Sequence, residues 1–271
     1  MNETTPSSGQ SEEQEKGEPL TRAQKRAQKK EARKKRRLEK HEKQRRLLFP
    51  ADKKGRHIMP LMNFLRVLLY PIHFIIFPFK LHGYKKVGTG AYMYVSNHYC
   101  LWDVFYMAHT TWEGLHFMAK EPVLHAPVVG YFARRLGVIG AMRDGSDVRT
   151  VMDAMRILKN GEKLAMFPEG TRNKRSDEEF LPFHSGAALI SIKTGTPVIP
   201  VVICNRPKPF RITHVVLGEP FEFSEYYGRK LTPEEYAEAD KKLTERMYSL
   251  RADFRAQRAA KNKKKAEKDG K

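Results

Sequence analysis

Four short apolar runs, each bounded by glycine, proline or asparagine, constrain the fold of this 271-residue chain more than any other feature. They are AYMYVS, KLAMFP, PVIPVVI and THVVLG, at residues 91–96, 163–168, 197–203 and 213–218. Runs of this length and composition are typical of buried strands. Amphipathic helical patterns lie between them. Strands that alternate with helices predict an α/β fold, a single domain with a mostly parallel central sheet flanked by helices.

Three helical segments carry recognisable end signals. In SDVRTVMDAMRILKNG the apolar residues recur at helical spacing, Ser146 is the predicted N-cap and an Asn-Gly pair supplies the stop. The segment FHSGAALISIKTG is predicted to form a helix that ends at Gly195. A third helix is predicted to begin with Thr232 as N-cap, Pro233 at the first helical position and Glu235 closing a capping box.

The net charge of +20 is concentrated near the two ends of the chain. Residues 21–56 contain 17 basic and 4 acidic side chains. A basic tail attracts an anionic membrane, a nucleic acid or an acidic protein through the same screened Coulomb interaction. No zinc-finger spacing or other nucleic-acid motif accompanies the charge, so no specific nucleic acid is expected. The predicted organisation is a charged tail, disordered or partly helical (1–56), a hydrophobic membrane-associating helical segment (57–83), an α/β domain (84–254) and a Lys-rich tail (255–271).

Residues 58–79, IMPLMNFLRVLLYPIHFIIFPF, form the most apolar segment of the chain. The segment is long enough to cross a bilayer, but Arg66 and His73 interrupt it and Pro71 and Pro78 each remove a backbone donor. We therefore expect a broken helix lying in the membrane interface rather than a span; a buried core helix is the alternative. The two cysteines are too few for a disulfide framework, and the first residues contain no apolar run with a small-residue cleavage site, so no signal peptide is expected. The predicted location is the cytoplasmic face of the cell membrane, with monotopic or peripheral attachment.

The stretch SNHYCLWD, residues 96–103, follows the first strand and places His98 five positions before Asp103. On a helix, two side chains five positions apart point to different sides, and on a strand they lie on opposite faces. The chain must therefore turn between His98 and Asp103 if the two side chains act together. A carboxylate at the start of a helix could hold Nδ1–H and leave Nε2 to accept a proton. The nucleophile is then either Cys100 or a hydroxyl of the substrate. The simpler alternative is that His98 fills a loop and Asp103 favours a helix N-terminus.

A second polar cluster, FPEGTRNKR at residues 167–175, follows another predicted strand. Arg172 is suited to bidentate phosphate recognition, Gly170 permits close backbone approach, and Thr171 can donate to a phosphate oxygen. Glu169 could accept hydrogen bonds from a glycerol hydroxyl or hold the arginine. The alternative is an exposed turn with a Glu-Arg pair. Because ligands of α/β folds sit beyond the carboxyl ends of the strands, the two clusters are expected on one rim of the sheet, at those ends.

The sequence NHYCLWD, followed by FPEGTR, resembles the glycerolipid acyltransferase family, the 1-acylglycerol-3-phosphate acyltransferases and their relatives. The similarity extends over about residues 84–203 and includes FMAKEPVLHAPVVGYFARRLGVIGAMR and GTPVIPVV. It implies transfer of a fatty acyl group from a thioester, on coenzyme A or acyl carrier protein, to the free hydroxyl of 1-acylglycerol-3-phosphate, giving phosphatidic acid. His98 would be the general base and Asp103 its orienting partner.

The resemblance also assigns the binding residues. Glu169, Gly170, Thr171 and Arg172 would hold the acceptor, and Lys120 and Arg143 would add positive charge, with no metal and no cofactor besides the thioester co-substrate. The chain departs from the family pattern at three places: Cys100 stands where Ser or Thr is common, IGAMR lacks an acidic residue before its arginine, and FHSG lacks a basic residue. Another lysophospholipid or glycerol 3-phosphate therefore stays open as acceptor. A catalytically inactive basic module that binds membrane or nucleic acid is the alternative from another class.

Overall fold

A computed structural model describes residues 24, 26, 28–33, 36, 59–141, 148–175, 179–184 and 186–269. The chain divides into two compact units, Met1–Arg46 and Leu47–Lys271. In the first unit, the described residues are helical and exposed. All further description concerns the second unit.

The second unit contains seven strands and seven α-helices within the described ranges. In chain order they are α1 (Pro60–Ile76), β1 (Phe79–Gly83), β2 (Met93–Ser96), α2 (Asp103–Ala108), β3 (Leu115–Lys120), α3 (Glu121–His125), α4 (Pro127–Arg135), β4 (Ile139–Ala141), α5 (Val148–Lys159), β5 (Lys163–Met166), α6 (Gly186–Thr194), β6 (Val198–Ile203), β7 (Thr213–Leu217) and α7 (Pro233–Asp269). The four strands predicted from the apolar runs are β2, β5, β6 and β7, and all are confirmed.

The strands form one sheet in the order β1-β7-β6-β2-β5-β3-β4. The sheet is mostly parallel, as the sequence predicts. Strands β6, β2, β5, β3 and β4 pair in parallel, whereas β7 runs antiparallel to β6 and β1 runs parallel to β7. At the centre, Tyr94 of β2 pairs with Ala165 of β5 and with Ile199 of β6. The carboxyl ends of the five parallel strands form one rim, here called the C-terminal rim.

The two faces of the sheet carry separate hydrophobic cores, since successive strand residues point to opposite faces. In β2, Met93 and Val95 belong to the core that α5, α6 and α7 cover, and Tyr94 belongs to the core that α1 and α2 cover. β5 repeats the pattern, with Leu164 on the first face and Ala165 on the second. The sheet is therefore the middle layer of three.

The predicted helix ends agree with the structure wherever the residues are described. Gly195 follows α6 with a φ of 62°, a left-handed conformation that glycine adopts at little cost. Thr232 and Glu235 form a reciprocal capping box: the Thr232 N–H donates to Glu235 Oε2 at 2.8 Å, and the Glu235 N–H donates to Thr232 Oγ1 at 3.3 Å. The predicted N-cap Ser146 lies outside the described residues.

Two segment boundaries differ from those expected. Helix α7 continues through Asp269, so residues 255–269 of the expected Lys-rich tail are part of one 37-residue helix. The hydrophobic segment 57–83 contains α1 and also β1, which joins the sheet. Pro71 does not break α1, because the helix continues through it to Ile76. None of the described helices is both long and apolar enough to cross a membrane.

Helix α1 has its polar residues on the inside. Arg66 and His73 are buried against the domain, while Val67, Ile72 and Ile75 are among the exposed large apolar side chains. Arg66 Nη1 donates to Asn63 Oδ1 at 2.8 Å. The His73 ring packs against α2, 5.0 Å from the Phe105 ring and 5.6 Å from the Trp102 ring. α1 therefore rests directly on the helix that begins with Asp103.

Candidate active site

The loop after β2 leads the chain from the C-terminal rim into α2. Asn97 anchors the start of this loop to the neighbouring strand: its Nδ2 donates to the Ile203 carbonyl at 3.1 Å, and the Ile203 N–H donates to its Oδ1 at 2.9 Å. Asn97 was not predicted as a site residue, although it is the first residue of the motif NHYCLWD. By fixing the residue before His98, Asn97 fixes where the loop leaves the sheet.

The loop wraps around the carboxylate of Asp103, the first residue of α2, which is fully buried. One oxygen, Oδ2, accepts hydrogen bonds from His98 Nδ1 at 2.8 Å, from the Tyr99 N–H at 2.5 Å and from the Cys100 N–H at 2.8 Å. The chain reversal that the five-residue spacing requires is therefore present, and the contact between His98 and Asp103 is confirmed.

The geometry fixes both the tautomer and the orientation of the His98 ring. Because Nδ1–H donates to Asp103, Nε2 carries a lone pair that can accept a proton. One face of the ring stacks on Phe167, with ring centroids 4.1 Å apart and planes inclined by 19°. The side chain of His98 is 16% exposed, whereas that of Asp103 is 0% exposed. The imidazole therefore reaches solvent while its partner does not.

Cys100, the other candidate nucleophile, is held as a thiol. Its Sγ–H donates to Asp103 Oδ1 at 3.5 Å. Burial, together with the Asp103 charge, raises the pKa of the Cys100 thiol to about 12. Since the thiolate is the nucleophilic form, this environment disfavours a covalent acyl-cysteine mechanism at neutral pH.

Glu169 joins the two polar loops from inside. The side chain is only 2% exposed; Oε1 accepts the His98 N–H at 2.9 Å and Oε2 accepts the Leu181 N–H at 3.2 Å. Burial raises the pKa of the Glu169 carboxyl to about 7, although both N–H donors favour the ionised form. Glu169 thus positions the main chain of His98. Its predicted contact with an acceptor hydroxyl or with Arg172 stays a prediction.

Gly170, Thr171 and Arg172 form the outer part of the second cluster. Gly170 has a φ of 60°, and a Cβ at this position would lie 2.9 Å from the His184 ring, so a larger residue would be strained. Thr171 and Arg172 are exposed. The next residue, Asn173, donates its N–H to the His98 carbonyl at 2.7 Å. The structure therefore brings the main chain of this cluster beside that of His98, and the phosphate contacts remain predictions.

Lys120 lies at the carboxyl end of β3, half-buried, and pairs with Ala141 of β4. Because β3 is the second strand from β2 in the sheet, Lys120 and His98 are at the same rim, about 10 Å apart along the hydrogen-bonding direction. Arg143 lies outside the described residues.

Arg206 also supports the loop and was not predicted. Arg206 Nη1 donates to the Asn173 carbonyl at 2.9 Å, and the Arg206 guanidinium lies 5.0 Å from the centroid of the Tyr99 ring. Arg206 thereby links the loop after β6 to both polar loops. Within the described ranges, no group of three or more His, Cys, Asp or Glu side chains is placed to hold a metal ion. The expected absence of a metal stays a prediction.

Comparison with known proteins gives a consistent result. Residues 78–204 match the family model described as Acyltransferase. The chain is 33% identical over 118 residues to the 1-acyl-sn-glycerol-3-phosphate acyltransferase BAT2, chloroplastic, of Brassica napus, which covers 43% of this chain and 33% of that protein. It is 32% identical over 133 residues to the 1-acyl-sn-glycerol-3-phosphate acyltransferase of Helicobacter pylori, covering 46% of this chain and 55% of that protein.

A solved structure agrees with the fold. The crystal structure of the 1-acyl-sn-glycerophosphate (LPA) acyltransferase PlsC from Thermotoga maritima superposes with a TM-score of 0.53 at 25% identity. The superposition covers 69% of this chain and 77% of that chain. The chain spans between a third and a little over half of the length of the curated relatives named above.

Proposed function

We propose that this chain is an acyltransferase that acylates the free hydroxyl of 1-acylglycerol-3-phosphate to give phosphatidic acid, since its residues 78–204 match the Acyltransferase family model and the relatives it matches are named 1-acyl-sn-glycerol-3-phosphate acyltransferases. The acyl donor in this proposal is a thioester of coenzyme A or acyl carrier protein. The observation that carries the proposal is the hydrogen bond of 2.8 Å between His98 Nδ1 and the buried Asp103 carboxylate, at the C-terminal rim and beside the second polar cluster.

In the proposed reaction, the acceptor itself supplies the nucleophile. His98 Nε2 accepts the proton of the acceptor hydroxyl while the hydroxyl oxygen attacks the thioester carbonyl carbon. The tetrahedral intermediate collapses, the C–S bond breaks, and the leaving thiolate takes the proton from the imidazolium. Asp103 stabilises the imidazolium and is not itself protonated. A raised thiol pKa at Cys100 supports direct transfer without an acyl-enzyme.

The energetic demand on the protein is modest because a thioester is already activated. Holding the two reactants together contributes ~7 to 11 kcal/mol, and a positioned general base adds about two to four decades of rate. The described residues supply the means for both effects. The main-chain bonds through Glu169 and Asn173 hold the His98 loop, and the exposed Arg172 is available for a phosphate.

We also propose that α1 docks this chain on the membrane that contains the acceptor, at its cytoplasmic face. The support is the inverted arrangement of α1, in which Arg66 and His73 are buried and large apolar side chains are exposed. Burying a large apolar side chain is worth about 1.5–3 kcal/mol, so a lipid phase would stabilise this face. The helix would lie in the membrane interface, because its 17 residues fall short of the about 20 that a membrane-spanning helix needs.

The direct test of the reaction uses purified full chain, acyl-coenzyme A and acyl carrier protein thioesters with labelled acyl groups, and a panel of acceptors. The panel contains 1-acylglycerol-3-phosphate, glycerol 3-phosphate and lysophospholipids with headgroups. We expect labelled phosphatidic acid from the first acceptor and none with His98→Ala. Preferred acylation of another acceptor would change the substrate; no acylation of any acceptor would remove the proposal.

The docking test measures binding to phosphatidylcholine vesicles by flotation. Val67→Asp and Ile75→Asp introduce a charge into the exposed face of α1, and each should reduce the bound fraction at least tenfold. Met152→Asp is the matched control, because Met152 is also exposed but lies on α5, on the other face of the sheet. Equal losses in the three variants would exclude α1 as the docking element.

A further inference from the structure

A basic groove lies between the loop that joins β6 to β7 and the second half of α7. Its volume is about 790 Å³. Four cationic side chains line it, Lys80, Arg211, Arg255 and Arg258, and its lining, taken over the described residues, includes no Asp or Glu. A concave surface with this charge attracts and concentrates anions.

Two histidines beside the groove respond to the positive field. His82 Nε2 and His214 Nδ1 lie 3.0 Å apart, and His214 is part of the groove lining. Burial, followed by the charge of Arg258, lowers the pKa of His214 to about 4, and burial and the same arginine lower the pKa of His82. A bound anion would oppose the field of the arginine and lysine, so these two imidazoles can report on occupancy.

An apolar part of the lining leads towards α1. Phe210, Ile212 and Phe254 line the groove, and Phe210 is 75% exposed. Phe210 has a φ of 60°, an unfavourable conformation for a residue other than glycine. Its N–H donates to the carbonyl of Ile76 at 2.6 Å, which holds the tip of the loop against the last residue of α1. The apolar side of the groove therefore lies beside the C-terminal end of α1.

The groove also shares the C-terminal rim with His98. Cys204 and Asn205, which follow β6, belong to its lining, and β6 is the direct neighbour of β2. A membrane surface in contact with both α1 and the C-terminal rim would also face the groove and the His98 loop. A cationic groove with an apolar wall beside a docking helix matches one ligand class, a phosphate group attached to a lipid.

We propose that the basic groove binds the phosphate of an anionic phospholipid headgroup, at a site separate from the acceptor site. Arg211 and Arg258 pair with the phosphate, and Phe210 and Ile212 contact the lipid stem. The groove lies mostly outside residues 78–204, since only Lys80 and Cys204 of its lining fall within them. This inference rests on the docking of α1 proposed above, and it does not depend on the acyl-transfer reaction.

The test uses a short-chain lipid in solution, so that membrane docking does not mask the groove. Dihexanoyl phosphatidylglycerol, kept below its micelle-forming concentration, is titrated into the full chain by calorimetry, with dihexanoyl phosphatidylcholine as the zwitterionic comparison. We expect saturable binding of the anionic lipid, at least tenfold tighter than that of the zwitterionic one. Labelled-histidine spectra should show the pKa of His214 rising when the anionic lipid binds.

Arg211→Ala/Arg258→Ala should weaken the binding of the anionic lipid at least tenfold. The charge-matched control is Lys159→Ala/Lys193→Ala, since these exposed lysines lie in the last turns of α5 and α6, at the opposite end of the strands. The control should stay within twofold. Equal losses in both double variants would show a general charge effect and overturn the proposal, as would no binding of the anionic lipid.

Competition with free coenzyme A distinguishes the two possible sources of the phosphate, a lipid headgroup and the acyl donor. If free coenzyme A displaces the short-chain lipid from the wild-type chain, the groove belongs to the acyl donor and the lipid assignment is wrong. His98→Ala should be inactive while its groove binds the lipid normally. A wild-type chain that binds the lipid but acylates nothing would refute the proposed reaction alone, and a chain that acylates but does not bind would refute the groove alone.

Discussion

Asp103→Asn removes the charge of the carboxylate while keeping its shape, and it tests whether that charge supports His98. The Asp103 carboxylate is fully buried and lies 2.8 Å from His98 Nδ1. When His98 accepts a proton, two unit charges about 4 Å apart interact with about 4 kcal/mol at an effective dielectric constant of 20. Loss of this interaction corresponds to about a thousandfold decrease in kcat.

The same substitution should leave the loop in place. If the amide oxygen occupies the position of Oδ2, it still accepts the N–H groups of Tyr99 and Cys100. We therefore expect the KM for the acceptor to change less than threefold. Initial rates over a range of acceptor concentrations separate kcat from KM, and urea unfolding should show a loss of about 1–3 kcal/mol. Asp240→Asn is the control, because Asp240 is buried on α7 and accepts the N–H of Ala188 in α6 at 3.2 Å, so its carboxylate supports α6 and not the His98 loop.

A double variant tests whether the two residues act as a unit. If Asp103 works only through the imidazole, adding Asp103→Asn to His98→Ala should cause no further loss of activity. Retention of more than a tenth of wild-type kcat by Asp103→Asn would refute the electrostatic reasoning. Losses that multiply in the double variant would show that Asp103 acts independently of His98.

Three other outcomes are expected. Cys100→Ser should keep kcat within about threefold, because the hydroxyl can still donate to Asp103 and the thiol has a pKa raised to about 12; mass spectrometry that finds an acyl thioester on Cys100 would contradict this. Arg172→Ala should raise the KM for the acceptor with little effect on kcat, and a fall in kcat at unchanged KM would exclude the phosphate role. Burial raises the pKa of Glu169 to about 7, above its ordinary 4.5, so the folded chain binds a proton that the unfolded chain has released between these values. The free energy of unfolding therefore falls as pH rises through this window. Glu169→Gln should reduce the fall in unfolding free energy between pH 5 and pH 8, measured by urea unfolding, by on the order of 3 kcal/mol. An unchanged pH dependence of stability in this variant would contradict the raised pKa of Glu169.

The strands that the sequence predicts are those with a strong local signal. β2, β5, β6 and β7 are wholly buried, and their apolar runs show it directly. β1 carries Lys80 and His82 and follows a long apolar segment, so its residues were assigned to the end of that segment. β4 has three residues, Ile139–Ala141, too few for any periodicity to be recognised.

In the candidate site, spacing predicts the contact of His98 with Asp103 because only a short turn separates His98, in the loop, from Asp103, at the start of α2. The tether through Glu169 could not be predicted in the same way. The sequence pattern around an acidic residue in a polar loop is the same whether its side chain faces solvent or the interior. Its direction depends on the N–H groups of His98 and Leu181, 71 and 12 residues away, which only the folded chain brings to it.

Helix α1 shows how a hydrophobic segment can be judged by position rather than by composition. Arg66 and His73, taken as polar interruptions, favour interfacial attachment over a span. Their separation of seven residues also puts them on one face of a helix, and that face turns out to be the buried one. Both groups are accommodated inside the domain. Burial lowers the pKa of His73 to about 4, which favours the neutral imidazole, and Arg66 donates a hydrogen bond to Asn63. The apolar side chains are consequently directed outward, the reverse of a core helix. Since His73 packs against α2, the helix that begins with Asp103, any surface that covers the outward face of α1 is also held in a fixed position relative to His98.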